Sequence, residues 1–170
     1  DMTAALSDDH TGTIPVVAHA VQWLIDHADA GEAPTEVCCL YATAPFVQAR
    51  DIRRGLDTLN AGNWAYAFSV TDFAAPISRA FHVGDSGGIR MFFSDDFDKR
   101  SQARPRAWHD AAQYYWGRPM AWIGGLRIFA EHSAPVFVPR WRVQDIDTPE
   151  DWAYAELMCQ ALQRQQEKQT

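Results

Sequence analysis

The feature that most constrains this chain is an alternation of helical and strand-like periods in its first half. From Thr13 to Ala28, the residues Val17, Ala20, Val21, Leu24 and Ala28 recur at helical spacing. Thr11 or Thr13 can cap that start, and Pro15 is tolerated in a first turn. A loop, GEAPTE, leads to the apolar run Val37 to Ala42, VCCLYA, of the type buried on both faces of a sheet. Ile52, Leu56 and Leu59 mark a second helix from Ala49 to Asn60, and WAYAFSVT, Trp64 to Thr71, reads as the next strand. This order predicts an α/β fold with a largely parallel sheet.

The middle of the chain breaks the pattern. ISRAFHV and GIRMFF flank GDSG, which predicts a hairpin. AAQYYWG and APVFVP are further strand candidates. A last helix is expected from about Pro149 to Gln165, with Tyr154, Leu157, Met158, Ala161 and Leu162 as its apolar stripe, before the solvated tail QRQQEKQT. No internal repeat or linker interrupts the 170 residues, so a single domain spanning 1–170 is expected.

Charge and cysteine usage narrow the function. A net charge of -7 argues against non-specific nucleic-acid binding. Nearly all basic residues are arginine, Lys99 and Lys168 being the lysines, and arginine suits forked contacts to phosphate or carboxylate. Cys38, Cys39 and Cys159 are too few and too oddly placed for a disulfide framework. No apolar run is long enough to span a membrane and no signal peptide opens the sequence, so a reducing cytoplasm is the expected home. The histidines form no zinc pattern with the cysteines. Gly84 to Gly88 spells GDSGG, the nucleophile signature of trypsin-like proteases, but the upstream histidine motif that chemistry needs is missing. A hairpin tip accounts for the same residues.

The segment VQDIDTPEDW, Val143 to Trp152, sets a chemical question. In an extended segment, Asp145 and Asp147 point to the same side while Ile146 points away. Two adjacent carboxylates repel unless a cation compensates them. Magnesium is often held by one or two carboxylates together with waters and substrate phosphates. Thr148 can serve as N-cap, with Pro149 at the first helical position and Asp151 three residues past the cap. A strand-end Asp-x-Asp before a helix would lie at the ligand crevice of an open α/β sheet. The alternative is that both acids simply favour the positive end of the helix dipole.

Six segments carry a resemblance to a known family: LSDDHTGTIPVVAHAVQWL, VCCLYATAPFV, AYAFSVTDFAAPISRAF, RSQ, HDAAQYYWG and PRWRVQDIDTPEDWAYAEL. In this order they resemble the sugar-acid cytidylyltransferases, the enzymes that make CMP-sialic acids. The resemblance implies a Rossmann-like nucleotide-diphospho-sugar transferase sheet, mostly parallel, with a hairpin extension. It implies transfer of CMP from CTP to the anomeric hydroxyl of a nine-carbon keto-sugar acid, with pyrophosphate leaving. Pseudaminic acid is the expected sugar; legionaminic and N-acetylneuraminic acids are alternatives, and a non-catalytic fragment or dimerising remnant is a reading of another class. The metal implied is Mg2+, with Asp145 and Asp147 as its ligands at the CTP phosphates.

Other roles follow from the same resemblance. Thr13 aligns with a family serine near CTP, and Thr43 keeps the hydroxyl of the nucleotide-side strand end. Tyr41 replaces a glutamine that contacts the sugar in sialic acid enzymes, which fits a different sugar. Arg100 and Gln102, from RSQ, and Gln113 and Tyr115, from AAQYYWG, are candidates for the sugar pocket; Asp110 is a local difference. The family forms dimers through the region around Phe92 to Arg104. Its opening strand and basic glycine-rich loop have no counterpart in this sequence, so the expectation is the C-terminal portion of such a domain, binding CTP poorly by itself.

Overall fold

A computed structural model describes residues 6, 8, 10–29, 31–94 and 105–167. The order is α1 (Thr13–His27), β1 (Val37–Leu40), α2 (Ala49–Ala61), β2 (Tyr66–Asp72), β3 (Phe81–Val83), β4 (Ile89–Met91), β5 (Trp108–Gly117), α3 (Pro119–Ile123), β6 (Ser133–Phe137) and α4 (Pro149–Glu167). The four-stranded sheet has the order β1-β5-β2-β6. β5 pairs antiparallel with both β1 and β2, whereas β2 and β6 are parallel. β1, β2 and β6 therefore run one way, as the alternating pattern predicts, and β5 runs against them.

Period-two burial divides the sheet into two faces. Tyr66, Phe68, Val70 and Tyr115 pack with Val21 of α1 and with Ala121 and Trp122 of α3. Ala67, Tyr114, Ala134 and Val136 pack with Leu59 of α2 on the other face. Gly117 makes the end of β5 possible: a Cβ there would lie 2.4 Å from Trp122 Nε1 and 2.6 Å from Tyr66 Cδ1. With no Cβ, the backbone can lie against both rings.

Three expectations need correction. VCCLYA is not buried on both faces; β1 lies at the sheet edge, its residues are half-buried, and Leu40 is exposed. An edge strand has a paired neighbour on one side only, which leaves its flanks wetter. α4 does not bury its whole expected stripe. Ala155 is its buried residue, while Tyr154 and Leu157 are exposed, and the helix continues through the expected tail to Glu167. The cap of α1 is Gly12, with no side-chain capping bond, so neither Thr11 nor Thr13 serves there.

The hairpin expectation holds. β3 and β4 pair antiparallel, Gly84 N–H donates to the Gly88 carbonyl at 2.8 Å, and Gly87 takes φ +80°. Ser86 lies at this exposed tip, where a turn needs small residues and no catalytic role is required.

Candidate active site at the carboxyl rim of the sheet

The carboxyl ends of β1, β2 and β6 face the same rim, the crevice position of an open α/β sheet. A bulge in β5 shapes that rim. Phe68 pairs with Tyr115 but Val70 pairs with Asp110, so β5 spends five steps where β2 spends two. Ala112 takes φ +49° inside the bulge. The displaced N–H groups find side-chain acceptors: Asp110 Oδ1 takes Ala112 N–H at 3.0 Å, and Ser69 Oγ takes Gln113 N–H at 3.3 Å and Tyr114 N–H at 3.4 Å. Bulges of this kind re-aim side chains beside functional sites.

On the α1 face the bulge brings several expected residues together. Thr13, Tyr41, Asp110 and Tyr115 line a cavity of about 490 Å³, together with Ile128 and Phe129. The Thr13 and Tyr41 hydroxyls share a hydrogen bond, so Thr13 is engaged across the crevice rather than at its own helix end. The Tyr115 hydroxyl donates to the Asp110 carboxylate, and the Tyr41 and Tyr115 rings meet at 5.2 Å and 56°. Burial first, and then the Asp110 bond, push the Tyr115 phenol far above its usual range, so it stays a proton donor at working pH.

Thr43 is exposed, in the turn that follows Tyr41. Gln113, expected at the sugar, is 1% exposed and its amide donates to the Arg142 carbonyl at 2.6 Å. It holds the chain rather than facing the crevice. Arg100 and Gln102 lie outside the described residues.

Contrary to the strand-end expectation, Asp145 and Asp147 lie beyond the end of β6. A short 3-10 turn, Arg140–Arg142, separates them from it. That turn is pinned twice: Gln113 holds the Arg142 carbonyl, and the buried Arg142 guanidinium pairs with the buried Asp51 of α2. After the aspartates, the α4 start closes on itself. Thr148 Oγ1 accepts from Asp151 N–H at 3.2 Å, and Asp151 Oδ2 accepts from Thr148 N–H at 2.9 Å and from the Thr148 hydroxyl at 2.7 Å. This is the reciprocal capping box. The Thr148 hydroxyl holds the Asp151 carboxyl below the usual aspartate range.

Capping is thus complete without Asp145 or Asp147. Among the described residues no hydrogen bond or ion pair engages either side chain; Asp147 is exposed and Asp145 half-buried. Their donor type, two hard carboxylates of which one is exposed and one half-buried, is the type magnesium takes together with waters and substrate oxygens. Among the described residues no group of three or more histidine, cysteine or acidic residues could hold a metal without such help.

Sequence reasoning missed Arg142, whose signal was the RWR triplet just before QDID, and it saw Asp110 without its role as the Tyr115 acceptor.

No family model matches the chain. The pseudaminic acid cytidylyltransferase of Campylobacter jejuni subsp. jejuni serotype O:2 is 33% identical over 153 residues, which is 90% of this chain and 65% of that protein. The Helicobacter pylori protein named pseudaminic acid cytidylyltransferase and UDP-2,4-diacetamido-2,4,6-trideoxy-beta-L-altropyranose hydrolase is 29% identical over 144 residues, 83% of this chain and 26% of that one. In fold, the chain is similar to a 4-diphosphocytidyl-2C-methyl-D-erythritol synthase from Anaerococcus prevotii, with a TM-score of 0.56 at 11% identity over 88% of this chain and 67% of the other. The chain thus spans just under two thirds of the length of the Campylobacter relative.

Proposed function

We propose, from this chain's kinship with the sugar-acid cytidylyltransferases, that the whole protein transfers CMP from CTP to pseudaminic acid and releases pyrophosphate. The observation that carries the reading is the pair Asp145 and Asp147, left free by a helix start that caps itself with Thr148 and Asp151.

In the reaction, the sugar's anomeric oxygen bonds to the α-phosphorus of CTP while the bond to the β-phosphate oxygen breaks. Asp145 and Asp147 would hold Mg2+, which supplies neutralisation of the triphosphate charge when bound. The chain's own groups do the positioning. Thr13 and Thr43 stand on the nucleotide side. Tyr41 and Tyr115 form the wall of the sugar pocket, with Asp110 fixing the Tyr115 hydroxyl. Arg100 and Gln102 complete the sugar side in this reading. Gln113 contributes by holding the Arg142 turn. The aromatic phenol of Tyr41, where sialic acid enzymes carry an amide, favours pseudaminic acid over N-acetylneuraminic and legionaminic acids.

The partner expected besides CTP and the sugar acid is a second copy of the protein. β3 and β4 form a two-stranded sheet that pairs with no other described strand, and Phe81, Val83, Ile89 and Phe92 are exposed on and beside it. A lone hairpin of this size is marginally stable in water. No described helix is long and apolar enough to cross a membrane; the reducing cytoplasm, where CTP is made and thiols stay free, is the proposed location.

The test is pyrophosphate release by the full-length protein with CTP, Mg2+ and each of the three sugar acids. Pseudaminic acid should turn over fastest, and Asp147→Asn should abolish metal-dependent turnover while the circular dichroism spectrum is unchanged. Faster use of N-acetylneuraminate, or full activity in Asp147→Asn, overturns the reading.

A further inference from the structure

The opposite face of the same rim holds a second groove, of about 690 Å³, which the reaction above does not use. α2 supplies Arg50, Asp51 and Arg54, and Asp72, Arg106, Trp108 and Arg142 line the rest of its polar surface. Four arginines against two aspartates leave this lining positive, in a chain whose net charge is -7.

The two aspartates are already engaged. Asp51 is paired with Arg142 and lies 3.1 Å from Arg54, while Asp72 accepts from Arg106 at 3.2 Å and lies 3.8 Å from Arg140. Their capacity to neutralise the groove is therefore shared among more guanidinium groups than there are carboxylates. Arg50 is exposed and has no partner among the described residues. Arg106 also spreads over the Trp108 ring at 4.5 Å, which pre-orders its planar head beside the opening.

A second, independent observation comes from the floor. Arg142 is 2% exposed, yet its Nε has no acceptor among the described residues. A buried guanidinium N–H without an acceptor costs free energy until something accepts from it. The groove's lining includes this residue.

We propose that this groove is a binding site for a phosphate-type oxyanion, held by Arg50 and Arg106 at the mouth and by Arg142 at the floor. Forked guanidinium donors match the tetrahedral oxygens of a phosphate group, which would accept from them in pairs. The group can arrive free, as phosphate or pyrophosphate, or as the ester of a nucleotide.

Calorimetric titration of the full-length protein in EDTA, with inorganic phosphate, pyrophosphate and CMP in separate runs, tests the site. EDTA removes the divalent ion that the Asp145–Asp147 rim would use, and the part of the binding that depends on Arg50 and Arg106 reports the groove. At least one of the three should bind, and the double variant Arg50→Ser, Arg106→Ser should weaken it about tenfold or more. Asp145→Asn with Asp147→Asn should leave that affinity unchanged. Tighter pyrophosphate identifies a free polyphosphate and tighter CMP a phosphate ester. Absence of binding for all three, equal affinity in the arginine variant, or loss of binding in the aspartate variant would each overturn the site. Both arginines are exposed, so folding should survive; if the double variant does not fold, Arg50→Ser alone must weaken binding. The outcome is independent of turnover, so this site and the cytidylyl transfer stand or fall separately.

Discussion

Tyr115 illustrates how one hydroxyl can be fixed by a local backbone irregularity. The β5 bulge turns Asp110 so that one carboxylate oxygen serves Ala112 N–H and the other serves the phenol. Tyr115→Phe removes a buried hydrogen bond to a carboxylate, and should lower stability by about 2 kcal/mol in urea unfolding. If Tyr115 walls the sugar pocket as proposed, the same variant should raise the KM for the sugar acid more than it lowers kcat, because the ring remains while its anchor is lost. The sequence offered Thr13 as a candidate on the nucleotide side and Tyr41 and Tyr115 as candidates on the sugar side, and the structure brings the three to one cavity. Gln113 was expected at the sugar, and it is buried with its amide on the Arg142 carbonyl instead. Nothing in AAQYYWG signals a bulge, and the bulge decides which side chain faces the crevice and which turns to Arg142.

At the scale of elements, the clearest case is the start of α4. The Thr148–Asp151 spacing announces a cap in the sequence, and the reciprocal bonds form as that spacing requires. Because the folded state holds the Asp151 carboxyl below its ordinary range, the stability it lends is present above an aspartate pKa of about 4 and is lost as pH falls further. Asp151→Asn should therefore melt earlier than the parent at pH 7, and the gap should narrow as pH falls below the ordinary aspartate range in thermal scans followed by circular dichroism. Helices and strands with strong periods were legible within a residue or two at most ends. The reversed direction of β5 was not, since its apolar pattern is the same in either direction. Nor was the edge position of β1, because VCCLYA is apolar enough for a central strand and only the neighbours reveal that one side is open.

On the scale of the whole molecule, the α/β sheet expected from alternation is covered on one face by α1 and α3, the latter not foreseen, and on the other by α2. What alternation could not foresee is how much apolar surface remains outside those layers. The hairpin exposes Val83 at 66% and Ile89 at 64%. If a second copy covers it, sedimentation of the full-length protein should give a dimer, and Val83→Ser with Ile89→Ser should shift it toward monomer; an unchanged distribution would exclude this hairpin as the interface. The Arg142 pin joins the turn after β6 to α2. It ties the root of the segment bearing Asp145 to the first turn of α2, with Gln113 reaching in from the sheet between them. The acid pair and the arginine groove consequently hang from a common peg, so a jolt to the latter is delivered three residues from Asp145.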